Sequence, residues 1–202
     1  MKIKKLIVIP FASLLTQVLS CAALSDCIVL PHSAACMRRV ATQTRNEKIS
    51  VRISGAALSI NGRVVPLPIN TTRLFELLGR PDRITRLQNV VLTWDNDGIL
   101  AYERPDTDRV FQLSIALGMK RFEFWPSGRF SGVLTIDGAR ITPESSLIEV
   151  NRIKSGRKFV QGSLNFIWEI GYVDRKISIN KGTIDTYDNS GQIIEVVVEH
   201  LK

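Results

Sequence analysis

The sequence predicts an α+β fold: two tandem hairpin–helix–meander repeats forming antiparallel sheet, with the helices packed on one face. Three observations carry this. Two short strand pairs are joined by the turn dipeptides Asn61-Gly62 and Asp137-Gly138, whose residues tolerate the positive φ of a type I′ hairpin. Each pair is followed by a helix signal. Each helix is followed by β-rich runs broken at Asp-, Asn- and Gly-containing turns.

The chain opens on an export leader, residues 1–20. Lys2, Lys4 and Lys5 are followed by the apolar stretch Leu6 to Leu19, too short to span a bilayer as a helix. Val18-Leu19-Ser20-Cys21 resembles the bacterial lipobox, which implies lipidation at Cys21, and Ala22 rather than Asp after it favours the outer membrane. An ordinary secretory signal cut after Ala23 is the alternative. Residues 21–48 read as a basic tether, with Cys27 and Cys36 expected as a disulfide in an oxidising compartment, or else as free thiols. Two Cys and His32 lack a fourth ligand, so no metal is expected there.

The first repeat, 49–125, starts with Ala56-Ala57-Leu58-Ser59-Ile60, the Asn61-Gly62 turn and Arg63-Val64-Val65. Its helix runs from a Thr71 or Thr72 cap through Leu74, Leu77 and Leu78 to Gly79. Strands follow at Val90–Trp94, Ile99–Tyr102 and Arg109–Ile115, where alternation in Phe111, Leu113 and Ile115 gives one buried face. Phe122, Phe124 and Trp125 join the repeats and are expected to pack between them. The second repeat, 126–202, has the pair Gly132–Ile136 and Ala139–Ile141, then a helix from cap Thr142 and Pro143 to Ile153. Strands are expected at Leu164–Ile170, Lys176–Ile179, Gly182–Tyr187 and Ile193–Val198. Neither repeat buries much alone, so a shared core is the expected solution.

Composition supports a folded, mildly basic chain: 202 residues, 45% hydrophobic and net charge +8. Removing three leader lysines leaves about +5, which suits an acidic protein or lipid partner; nucleic acid is not expected in an exported chain.

Phe124-Trp125-Pro126, Phe130-Ser131-Gly132 and Leu134–Gly138, preceded by Leu78–Arg83 and Thr93-Trp94-Asp95, resemble a bacterial envelope lipoprotein family known only as a domain of unknown function, over most of residues 50–200. Leu77-Leu78-Gly79-Arg80-Pro81 is similar to the small outer-membrane lipoproteins of the SmpA/BamE type. Those share a fold pattern with the tandem-repeat beta-lactamase inhibitor protein. The resemblance implies a binding scaffold, and the second repeat lacks the Leu-Gly-x-Pro signature at Asn151-Arg152-Ile153.

No catalytic motif assembles. Gly-x-Ser-x-Gly, His-Glu-x-x-His and P-loop patterns are missing, and His32 and His200 lie in the tether and at the C-terminus. Asp95–Gly98 opens like a calcium loop, but Ile99 and Leu100 stand where a ligand and glycine are needed, so a tight turn is expected. Asp174, Asp185 and Asp188 are not distinguished from surface acids. Trp94 and Trp168, at matching places in the repeats, are expected in the core. Partner binding is expected at two basic loops and a turn: Arg80, Arg83 and Arg86; Arg157 and Lys158 beside Lys154; and Asp97. The expectation is a non-enzymatic, cofactor-free periplasmic lipoprotein that binds a secretion-system-delivered protein toxin as an immunity protein. The alternative partner is an outer-membrane assembly complex.

Overall fold

The structure, a computed structural model, describes residues 48–118, 122–182 and 191–201. The leader, Cys21, Cys27, His32, Cys36, Asp185 and Asp188 lie outside the described residues. Among the described residues no helix is long and apolar enough to cross a membrane.

Strands β1 (Ser50–Ser54), β2 (Ala57–Ile60) and β3 (Arg63–Val64) open the domain, and β4 (Ile69–Asn70) leads into helix α1 (Thr71–Leu78). A meander follows: β5 (Arg83–Arg86), β6 (Val90–Trp94), β7 (Ile99–Arg104) and β8 (Arg109–Ala116). The order then recurs with β9 (Val133–Ile136), β10 (Ala139–Arg140), helix α2 (Leu147–Ile153), β11 (Val160–Gln161), β12 (Ile167–Gly171), β13 (Arg175–Gly182) and β14 (Gln192–His200). Both hairpin turns carry positive φ at both central residues, 49° and 76° at Asn61-Gly62 and 46° and 87° at Asp137-Gly138.

The strands form two sheets. One has the order β10-β9-β1-β2-β3; the other runs β11-β12-β13-β14-β8-β7-β6-β5, with β4 also pairing β8. The last strands of the two meanders, β8 and β14, pair antiparallel, so both meanders share one nine-stranded sheet. The purely antiparallel expectation fails at one place: β1 pairs antiparallel with β2 but parallel with β9. The cause is arithmetic. The β2–β3 and β9–β10 hairpins run antiparallel to one another, and a single strand inserted between them must be parallel to one.

Two other boundaries differ from expectation. α1 is capped by Asn70, whose side chain accepts from Thr72 N at 2.9 Å, not by either threonine. α2 starts at Leu147, not at Pro143. Thr142 is held in a turn by Ser145, and the Pro143 carbonyl accepts from Ile193 N at 2.9 Å, so the second sheet claims the expected first turn.

One apolar core takes residues from both sheets and both helices, among them Val51, Leu58, Leu74, Trp94, Leu113, Leu134, Val150 and Val196. It covers one face of the nine-stranded sheet. On the other face Trp125 and Phe124 pack over Val91, Leu100 and Ala116. The linker aromatics therefore cap the outside of the first meander instead of filling a seam between repeats.

Candidate functional site

Among the described residues, that cap lies over β6, β7 and β8 on the outer sheet face. Beyond it, over β8 and β12–β14, lies a polar trench of about 300 Å³. Strand alternation builds it, because residues two apart share a face. Register then sets the rows. Tyr102, Gln112, Glu199 and Lys176 lie side by side across β7, β8, β14 and β13. The next row is Ser114, Val197, Ser178 and Glu169, and the third is Ala116, Glu195, Asn180 and Ile167. Trp125 and Phe122 wall one side.

Ser114, Ser178 and Glu195 on the floor are buried, while Gln112, Lys176 and Glu199 are half-buried. Glu195 is 5% exposed, and its Oε2 accepts from Asn180 Nδ2 at 2.8 Å. Lys176 Nζ lies 3.4 Å from Glu199 Oε2, a half-exposed pair of little energetic weight. The Asn180 Oδ1 and the Trp125 Nε1 are buried and meet no hydrogen-bond partner among the described residues.

The wall is held by Asp95. Arg83 Nε and Nη2 donate to its two carboxylate oxygens at 2.7 and 2.8 Å. The same guanidinium donates to the carbonyls of Glu123 and Trp125, at 2.9 and 2.8 Å. Asp95 also accepts from Ser127 N, and its own N–H donates to Asp82 at 2.7 Å. Arg83 holds the Asp95 carboxyl down at about 2, against partial burial that pushes it up. Trp94, beside it, is 2% exposed and donates to the Gly79 carbonyl. The sequence stretches around Gly79, Trp94 and Trp125 thus converge on one knot.

Several of the residues expected to bind a partner are engaged locally. Arg83 is this staple. Arg157 donates to the Gly171 carbonyl and lies 5.2 Å over the Tyr172 ring, and Lys158 donates to the Lys154 carbonyl at 2.7 Å. Lys154 is wholly buried, paired with Asp137 at 2.9 Å. Arg80 and Arg86 are exposed, and Asp97 is half-buried in the β6–β7 turn. Arg83 and Arg86 lie on β5, while Arg157 and Lys158 lead into β11, the opposite edge of the sheet. Seven strand spacings separate the edges, roughly 34 Å. The structure does not join the two basic loops into one patch. His200 ends β14, and Trp168 is half-buried against the core, as its repeat position suggests.

The trench residues were missed because its acids were sought in turns. The available signal was the alternation Glu195, Val197, Glu199 on β14 and Lys176, Ser178, Asn180 on β13, each a polar row opposite a Val or Ile row.

A family model described as Domain of unknown function (DUF7738) matches residues 50–151, half of the chain. The chain belongs to the DUF7738 family. The match covers β1 through most of α2 and includes the whole Asp95 knot, while most of the trench floor, on β12–β14, lies beyond it. Neither a curated protein nor a solved structure matches the chain.

Proposed function

We propose that this DUF7738 protein is a bacterial envelope lipoprotein, anchored to the outer membrane through Cys21, that works as a periplasmic immunity protein. It binds a secretion-system-delivered protein toxin and blocks it, with no covalent chemistry of its own. The observation that carries the reading is on the outer face: beside the Trp125 cap, the nine-stranded sheet presents a polar trench lined by Gln112, Ser178, Asn180 and Glu199. Preorganised faces of this kind suit capture of a folded partner. Arg80 and Arg86 are exposed at one edge of the sheet and Arg157 and Lys158 at the other, with Asp97 in the β6–β7 turn, and these remain the residues proposed for partner contact.

The scaffold itself is read as a duplicated unit. β2 and β9 flank β1, β8 meets β14, and Trp94 and Trp168 occupy matching strands in the order of the nine-stranded sheet. That arrangement is similar to tandem-repeat inhibitors in outline. A second reading, an accessory lipoprotein of an outer-membrane assembly complex, is favoured by the helix end Leu78-Gly79-Arg80-Pro81 and its resemblance to the SmpA/BamE type.

Affinity capture with the lipidated chain from its own envelope and secretome tests both. The immunity reading expects a stoichiometric toxin whose lethality in the periplasm is relieved by co-expression. Recovery of an assembly complex supports the second reading, and an empty capture under several conditions contradicts both. Cys21→Ser is expected to release the chain from the membrane fraction and to end incorporation of labelled palmitate.

A further inference from the structure

We infer that β5 is a docking edge, to which the partner adds an extended segment that reads acid-x-apolar. The inference rests on the protein-binding reading above and adds a contact to it. Of the strands that end the two sheets among the described residues, β3, β10 and β11 have two residues each and β5 has four. An end strand carries a row of main-chain N–H and C=O groups that no neighbouring strand pairs, and a further strand can dock on them.

The edge is set before a partner arrives. Arg83, its first residue, is clamped by Asp95 and by the Glu123 and Trp125 carbonyls. Asp82 N–H donates to the Thr93 carbonyl at 2.8 Å and Leu87 N–H to the Asn89 carbonyl at 2.9 Å, so both ends are fixed. Little ordering of this strand is left to be done on binding.

Register supplies the chemistry. Ile84 stands opposite Leu92 and Arg86 opposite Val90, so both lie on the face that carries the core. Leu92 is 2% exposed and Ile84 is 56% exposed. The apolar row therefore runs out to the edge and stops uncovered. An apolar residue opposite Ile84 on an added strand extends that row by one cross-strand pair. Arg86 is exposed, and among the described residues neither it nor Arg80 makes an ion pair. A carboxylate opposite Arg86 stands two positions from the apolar residue, because residues two apart share a face. On an antiparallel strand the acid comes first. A second copy of this chain fits less well, because it brings the same net positive charge to the edge.

The test is a titration of the full chain, in detergent, with the peptide Thr-Thr-Glu-Thr-Val-Thr-Thr, followed through the amide resonances of β5. Saturable shifts centred on β5 are expected. The peptide is expected to bind roughly fivefold more tightly than one with Gln in place of Glu, and Arg86→Gln is expected to erase that difference. Ile84→Thr is expected to erase the preference for Val over Thr in the peptide. Two N-methylated peptides, one modified at the odd and one at the even positions, test the main-chain ladder: one of them is expected to lose binding. Equal binding of the Glu and Gln peptides overturns the inference, as does full binding of both N-methylated forms or the lack of any saturable shift at β5. A dimer in solution that Ile84→Thr or Arg86→Gln disperses also overturns it, by placing a second copy on the edge. Both substituted side chains are exposed; if Ile84→Thr unfolds, Arg86→Gln alone decides. A captured toxin whose affinity ignores Ile84→Thr and Arg86→Gln overturns the inference while leaving the immunity reading intact. Saturable peptide binding with no captured toxin sustains it and removes that reading.

Discussion

Asp95 joins Arg83, Ser127 and Asp82, and through Arg83 it fixes the carbonyls that hold Trp125 over the sheet. Its carboxyl sits near 2 when folded, below its ordinary 3.8, so folding favours the ionised form. That contribution is complete above about pH 4 and is lost as pH falls through about 2. Asp95→Asn is expected to lower stability at neutral pH by about 1–3 kcal/mol and to flatten the stability profile between pH 4 and 2. Urea unfolding at a series of pH values checks both. Lys154 and Asp137 make a second charged contact, with side chains 0% and 6% exposed. Asp137 also accepts from Gly55 N, linking the β9–β10 turn to the β1–β2 turn. Lys154→Met strands a buried carboxylate and is expected to cost about 3–5 kcal/mol, with partial recovery in Lys154→Met/Asp137→Asn. A double-mutant cycle by denaturant melts measures this.

Among the elements, the hairpins were legible because their turns need positive φ and the sequence supplies Asn-Gly and Asp-Gly there. The long strands β6–β8 and β14 were legible from apolar content and alternation. β5 and β11 were not: Arg83-Ile84-Thr85-Arg86 and Val160-Gln161 are short edges with little burial, so polarity hid them. The α2 cap was misread because Thr142-Pro143 is a local signal that a long-range bond from Ile193 overrides. The parallel β1–β9 pair depends on Gly132, where an added Cβ would stand 2.0 Å from the Ile49 carbonyl oxygen. Gly132→Ala is expected to destabilise by about 1–3 kcal/mol, by forcing β9 off β1. Gly171→Ala, with nothing within 4 Å of the added carbon, is expected to fall within about 0.5 kcal/mol of the parent. Thermal melts of the two variants decide it.

At the scale of the whole molecule, β8 pairs with β14 and β1 with β9, so each half completes the sheets of the other. Residues 48–131 alone would expose two apolar strand edges, and are expected to show no cooperative transition in urea, whereas the intact domain unfolds in one step. A fragment that unfolds cooperatively would contradict the shared core. The candidate site belongs to this scale too. No single stretch spells it; β7, β8, β12, β13 and β14 each contribute one alternate face, and only their register assembles the trench. That is why the sequence pointed instead to basic loops that prove to stand at opposite sheet edges. The most direct measurement is the affinity of the lipidated chain for the protein it captures, repeated with Glu195→Gln/Glu199→Gln and with Arg73→Ala on the exposed side of α1. The account predicts one stoichiometric partner, bound at least a hundredfold more weakly by the trench variant and equally well by the α1 variant. Equal loss in both, or turnover of a cell-wall or lipid substrate that one acid substitution abolishes, would contradict it.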